Sequence, residues 1–433
     1  APGVMDRICS MEHEYGMQAA WSNEIMECPL PVAYDKVHSL LHVNLRNHLR
    51  NGAQMYIDCC HLEAAMPECR GPRSAVLYDQ AMSRIVMGMA ARHDVMIFKN
   101  NVDYYGASFG CHENYHCAAE NVMSEAAAAN IDEPLAYVAQ LMVPFLVTRQ
   151  IFAGSGRVVG RQFHLSQRSS VISAVADYKI TMCRPIFHLK NETHSTKGFR
   201  LHIIVGHSNM SEYSNWLKIG TTCAVVEMIE SGYLRSTLAM SNPVGMLHQV
   251  NREGPDSLIS LELNGKHQRF SAIDVQSWFV EKAVEFYAAQ KQVSVEIQDV
   301  LVGWFSVLKA LKCEPESLST KLDWAIKKEI LQKAGPQDRE KIDMQYHLLA
   351  PEGLYYCLRD VMKLERIVTD ADIEYAKDVP PQTRATARTG LIHLLESMGR
   401  EVIGVDWSTV RYIEGKEQRT IFLGDPSSTE IDL

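Results

Sequence analysis

The stretch Asn51-Gly52-Ala53-Gln54-Met55-Tyr56-Ile57-Asp58-Cys59-Cys60-His61-Leu62-Glu63 constrains this chain more than any other. An Asn-Gly turn pair leads into five residues with Met55 and Ile57 on one side and Gln54, Tyr56 and Asp58 on the other, the period-two pattern of a half-buried strand. If the face of Tyr56 and Asp58 lines a cleft, His61, Glu63 and Glu68 add more acid than a core tolerates without partners. A cationic group is expected there. Upstream, Ser10-Met11-Glu12-His13-Glu14-Tyr15-Gly16 sets two glutamates two residues apart. On a strand they share a face and offer oxygen to hard ions such as magnesium. Taken alone, the pair reads first as a solvated edge strand with its charges outward, because such pairs are common.

Composition narrows the setting. With 433 residues and 46% hydrophobic content, the chain can build one large domain with a deep core and a smaller one beside it. No apolar run is long enough to span a bilayer and no basic-then-apolar leader is visible, so no membrane association is expected. Eleven cysteines at irregular spacings, with no C-x-x-C pair, suit reduced thiols in a cytoplasmic protein. Cys59 and Cys60 flank the acidic strand, but as thiols they are expected to behave as small apolar groups and not as nucleophiles. A net charge of −9 argues against nucleic acid as a general partner.

Apolar spacing predicts helices over 36–50 (Val37, Leu40, Leu41, Leu45) and 74–92, and a buried strand before Lys99-Asn100-Asn101. The alanine-rich 118–129 segment is a strong helix former. Gly154-Ser155-Gly156-Arg157 lacks the Lys-Ser/Thr of a phosphate-cradling loop and reads as a turn. Leu201-His202-Ile203-Ile204-Val205 reads as a strand whose lone imidazole is, by itself, a satisfied core residue. A helix follows from Glu212 to Ile229, with Glu212 placed to suit the dipole. Amphipathic helices over 272–290, 294–311 and 319–333 form scaffold, with Trp304 and Trp324 as packing residues. Beyond 364 come a basic Pro380-Pro381-Gln382-Thr383-Arg384 segment, a helix through Leu391 and Leu395, and strands around Trp407 and Ile421.

The Met-Glu-His-Glu-Tyr-Gly and Asn-Gly-Ala-x-x-Tyr-x-Asp stretches resemble the signature strands of the Pup ligase and Pup deamidase/depupylase family, a branch of the glutamine-synthetase-like carboxylate-amine ligases. Further blocks agree in order, among them Gly110-Cys111-His112-Glu113-Asn114-Tyr115, Leu165-Ser166-Gln167-Arg168, Arg200-Leu201-His202, Ser208-Asn209-Met210-Ser211-Glu212 and Val405-Asp406-Trp407. The resemblance implies an α+β, glutamine-synthetase-like fold: a curved, mainly antiparallel sheet packed with helices over residues 1–363, and a small C-terminal domain over 364–433. It further implies magnesium at Glu12, Tyr56 and Glu63, joined by Glu14 and by His202, with Asp58 as proton acceptor and Trp407 against the nucleotide. Two family positions that contact ATP differ here, Gln54 standing for an arginine and Met66 for a threonine. The family's His-Pro-Glu and Asp-Ser-Asn also become His61-Leu62-Glu63 and His207-Ser208-Asn209.

A carboxylate is a poor electrophile, and joining it to an amine requires activation, most simply as an acyl phosphate made from ATP with Mg2+. The resemblance therefore implies a ligase that activates the C-terminal glutamate of a small Pup-like modifier and attaches it to lysine-bearing protein substrates. Two alternatives stay open at this point: a depupylase or deamidase using Asp58 with nucleotide (ATP or ADP) retained, and a non-catalytic binding member. Only about thirty residues join Gly16 to Asn51, where the depupylase branch carries a long extra loop, which favours the ligase.

Overall fold

The computed structural model describes residues 7–19, 48–59, 61–93, 95–192, 194–196, 198–236, 238–263 and 265–431. The helix expected over 36–50 lies almost wholly outside them. Eleven strands precede the middle of the chain: β1 Ile8–Ala19, β2 Gln54–Asp58, β3 His61–Ala65, β4 Cys69–Arg70, β5 Val95–Phe98, β6 Cys111–Cys117, a small hairpin of β7 Arg157–Val159 and β8 Gln162–His164, then β9 Ala174–Asp177, β10 Pro185–His188 and β11 Phe199–Ile203. Nine of them form one sheet in the order β2-β3-β1-β6-β11-β10-β9, with β4 and β5 also paired to β1. Every pair is antiparallel except β9 with β10. The mixed, mainly antiparallel sheet packed with helices is the fold expected from the sequence.

Alternation along β1 divides the work of the sheet. Cys9, Met11, Tyr15 and Met17 face the core, while Ser10, Glu12, Glu14 and Gly16 face the other way. His13 also points inward, and its Nε2 lies 2.9 Å from Asp79 Oδ1. Asp79, on the helix Gly71–His93, accepts from Lys99 Nζ at 2.7 and 2.6 Å and from Asn215 Nδ2 at 3.1 Å. All four side chains are buried. A buried ion pair depends on further hydrogen bonds to offset its desolvation, and Asp79 has them from His13 and Asn215.

The helices Gly71–His93, Pro134–Thr148, Glu212–Glu230, Ala272–Ala288 and Val295–Cys313 fill the core side, their apolar faces joined in one continuous cluster. Ser211, Ser271 and Ser294 cap three of them. Trp304 is fully buried and donates to Gln276 Oε1 at 3.2 Å, and Trp324 donates to the Ile151 carbonyl, so both are packing residues. The expected 319–333 helix starts later, at Asp323, after a 3-10 turn over Pro315–Thr320. Glu212 does more than suit a dipole: it is buried, pairs with Arg366 and accepts from the amides of Ile367 and Val368.

A three-stranded sheet of β12 Ala239–Met240, β13 Leu258–Leu263 and β14 Lys266–Ser271 flanks the core, and β15 Val402–Val405, β16 Thr409–Glu414 and β17 Glu417–Phe422 form another near the C-terminus. Ala387, Leu391, Ile392 and Leu395 of the helix Arg384–Ser397 make a second apolar cluster with Val402, Val410 and Leu423, whereas Leu364, Val368, Ile373 and Ala376 pack into the large one. The C-terminal strands keep to β15–β17, and Trp407 occupies the turn between β15 and β16. No helix among the described residues is long and apolar enough to cross a membrane.

Candidate active site

Register on the acidic face builds the site. Antiparallel pairing sets Tyr56 opposite Glu63 and Glu63 opposite Glu14, and in the next row Gln54 opposite Ala65, Ala65 opposite Glu12 and Glu12 opposite His112. Cross-strand neighbours on one face stand close enough for their side chains to interact. Two groups result. Oxygens of Glu14, Asp58 and Glu63 lie within 4.8 Å of one another, and so do ligand atoms of Glu12, His112 and His202.

The first group is held by short contacts. Tyr56 Oη donates to Glu63 Oε1 at 2.9 Å. Glu14 Oε2 lies 2.9 Å from His61 Nδ1 and accepts from the Gly110 amide at 2.7 Å. A Cβ at Gly110 would stand 2.8 Å from His112 Nε2 and 2.9 Å from Glu14 Oε1, so any larger residue there would displace these two side chains. Asp58 is exposed at the end of β2, the sheet's edge strand. Burial opposes the charge of Glu14, yet the His61 hydrogen bond, the nearby His112 and the Gly110 amide hold it at about 2. For Glu63, burial and then the charges of Glu12 and Glu14 act together and push it up to about 9. Tyr56 is driven upward by burial and by Glu12 and Glu63, so it remains a phenol and a donor.

The second group adds imidazoles. Glu12 Oε2 lies 3.4 Å from His112 Nδ1 and 3.5 Å from His202 Nε2, while Oε1 accepts from Asn114 Nδ2 at 3.0 Å and Arg200 Nη2 at 2.8 Å. Burial works against the charge of Glu12, but the Arg200 guanidinium and the two histidines hold it well below the usual carboxylate range. His202 is pushed down to about 3 by burial and by Arg200, which leaves it neutral, and its Nε2 is buried without a hydrogen-bond partner. The lone-imidazole strand is β11, and His202 stands on it beside Glu12 and His112. A neutral imidazole nitrogen without a partner, beside carboxylates that repel one another, is a donor set that fits a divalent cation.

Next to these groups a cavity of about 90 Å³ runs between the large sheet and the C-terminal segment. Ser10, Glu12, Asn114 and Arg200 line its sheet side, Met66 and Phe199 supply apolar wall, and Arg384 and Trp407 close it from the C-terminal side. Gln54 is buried beside Ala65 and its Nε2 has no partner. Glu68 is not among the clustered acids. It is buried between Arg384 and Arg388, with Arg384 Nε donating to Oε1 at 2.8 Å and Arg388 donating to Oε1 and Oε2 at 2.8 and 2.9 Å. Arg388 also donates to the Trp407 carbonyl at 2.8 Å, lies over the Trp407 ring at 5.1 Å, and reaches the Gly52 carbonyl at 3.0 Å. Gly52, at φ +83°, supplies a backbone that a side chain would strain, and a Cβ there would meet Ala385. Cys59 is exposed at the β2–β3 turn and Cys60 lies outside the described residues.

His112, Asn114 and Arg200 are site neighbours that the candidate set lacked. The signal was present: His112 and Asn114 alternate along one strand, and Arg200 stands two residues before His202.

A mainly antiparallel sheet that sets carboxylates and imidazoles along one face, beside an arginine-rimmed cavity, defines an α+β fold class with its candidate site on the face away from the helical core. Within it the chain belongs to the Pup-ligase protein family, whose model matches residues 17–411. It is 35% identical to a depupylase of Acidothermus cellulolyticus over 84% of this chain and 74% of that protein. Its identity to the Pup-protein ligase of Kineococcus radiotolerans is 31%, over 97% of this chain and 96% of the relative. Among solved structures, the ligase PafA in complex with the prokaryotic ubiquitin-like protein Pup superposes with a TM-score of 0.86 at 28% identity, covering all of this chain and 91% of that one. PafA in complex with ADP gives a TM-score of 0.77 at 29% identity over 92% of this chain and 91% of that one.

Proposed function

We propose that this chain uses ATP to activate the C-terminal glutamate of a small Pup-like protein and joins it to a lysine of a protein substrate through an isopeptide bond. The observation that carries the reading is the placement of Asp58, exposed on an edge strand and within 4.8 Å of Glu14 and Glu63. The likeness to Pup-protein ligases over almost the whole of both chains supports the same direction.

Trp407 and Phe199 suit the nucleotide base, and Arg200 and Arg384 suit its phosphates. Met66 lines that cavity with less polarity than the family's threonine, and Gln54, opposite Ala65 on β2, carries less charge than the family's arginine. Magnesium bound by Glu12, Glu14, Glu63 and His202 would offset the phosphate charge and align the γ-phosphate for in-line transfer to the modifier's carboxylate. Tyr56 orients Glu63 through its hydroxyl. Asp58 takes a proton from the incoming lysine ammonium, the freed amine attacks the acyl phosphate, and phosphate leaves as the amide forms. An exposed carboxylate at a sheet edge is one that a protein-borne lysine can reach. Buried Cys9, Cys69, Cys111, Cys117 and Cys223 are free thiols, which suits the cytoplasm as the setting.

Purified protein should release ADP in step with conjugate formation when given ATP, a modifier ending in glutamate and a lysine-bearing protein. The identity to a depupylase favours a second reading, hydrolysis of the same bond. Loss of preformed conjugate without net ATP use would replace the ligase reading with that one. A further expectation concerns the metal-binding groups. Glu12→Gln should weaken magnesium-dependent nucleotide binding by about tenfold or more, ~1.4 kcal/mol, and leave binding in EDTA unchanged. Equal losses with and without magnesium, read by fluorescence titration, would remove Glu12 from the ligand set.

A further inference from the structure

His188 stands on β10 directly opposite His202 of β11, and it is buried. The two Nδ1 atoms are 3.0 Å apart, and His188 Nε2 lies 3.3 Å from the Tyr178 carbonyl oxygen. A carbonyl can only accept, so His188 Nε2 carries a hydrogen. A neutral imidazole has one donor and one acceptor, so His188 Nδ1 is then an acceptor and His202 Nδ1 the donor facing it. His202 Nε2 is left with its lone pair, and that is the nitrogen which faces Glu12 Oε2 at 3.5 Å and has no hydrogen-bond partner.

We propose that His188 is a positioning residue: anchored on the Tyr178 carbonyl, it fixes His202 in the Nδ1–H tautomer and so aims the Nε2 lone pair at a divalent cation shared with Glu12. The proposal rests on the reading of Glu12 and His202 as metal ligands. The hydrogen-bond direction alone supplies the tautomer, and the register of β10 on β11 supplies the aim. A partner of this kind orients the ring and raises the basicity of the ligand, and its removal commonly lowers metal affinity by about 10- to 100-fold. The His188 ring has no other role in the reaction as described.

The direct test is long-range proton–nitrogen NMR of protein labelled with nitrogen-15 in histidine, with the His202 signals assigned by their loss in His202→Gln. Wild-type protein without metal should show His202 protonated at Nδ1, and protonation at Nε2 would overturn the proposal even if no variant of His188 folds. In parallel, manganese binding followed by electron paramagnetic resonance should weaken by about 10- to 100-fold in His188→Phe and be largely kept in His188→Asn, whose amide oxygen can accept from His202. A folded His188→Phe that binds manganese as wild type does would also overturn it. Wild-type protein that binds no manganese would sink the metal reading and with it the aim assigned to Nε2. Failure of ligation with the tautomer and the metal affinity as expected would instead overturn the function reading alone.

Discussion

Asp58→Asn is expected to lower conjugate formation by about 10²- to 10⁴-fold, the usual contribution of a positioned general base, while magnesium-nucleotide affinity stays close to wild type. Asparagine keeps the size and the hydrogen-bonding ends of the side chain but cannot accept the ammonium proton. Asp58 is exposed at the end of β2, outside the wall of the cavity, so nothing in the core depends on it. Single-turnover conjugation and nucleotide titration on the same preparation separate the two effects. Loss of nucleotide binding in parallel with turnover would reassign Asp58 to the metal groups, and full activity would end its role as base. A modest residual rate that rises with pH is expected, because lysine deprotonated by solvent can still attack.

The second large effect concerns Glu68, which lines the cavity but is tied up by two arginines. Glu68→Gln should cost about 3–5 kcal/mol, because it leaves Arg384 and Arg388 buried without a counter-charge. Both arginines belong to the helix that carries the small apolar cluster, and Arg388 also holds the Trp407 turn. The loss should therefore appear as an early unfolding step of the C-terminal strands, visible in tryptophan fluorescence, together with weaker nucleotide binding. The pH dependence has a definite sign. Burial opposes the charge of Glu68, but Arg388 and Arg384 bring it down from 4.5 to about 2. Its contribution is complete above pH 4.5 and is lost as pH falls toward 2. A variant that unfolds in a single step at the wild-type midpoint would show that the ion triad is not what joins these strands to the sheet.

Much of the site was legible because alternation is a strict rule. Glu12 with Glu14, and Tyr56 with Asp58, could be put on common faces from spacing alone, and strand pairing then brought those faces together. What spacing cannot give is register between distant strands. His112 and His188 come beside His202 only because β6, β11 and β10 are neighbours in the sheet, and their place in the chain gives no hint of that. Glu68 shows the opposite failure. Sequence proximity placed it with the acids, but it is drawn away by two arginines more than three hundred residues later. The strand at 199–203 was read two residues late because Arg200 does not look apolar, although its charge is spent on Glu12. Trp407 was found by resemblance, since no periodicity marks a residue in a turn.

The strand bearing Glu12 and Glu14 is clamped from behind by His13, Asp79, Lys99 and Asn215. A random mutagenesis screen for inactive enzyme should therefore return changes at Asp79 or Lys99 as readily as changes in the groove. Such mutants would mimic catalytic lesions although their side chains never meet a reactant. Second-site suppressors would then be expected among neighbours of the helix Gly71–His93, deep inside the molecule, and not around the bound nucleotide.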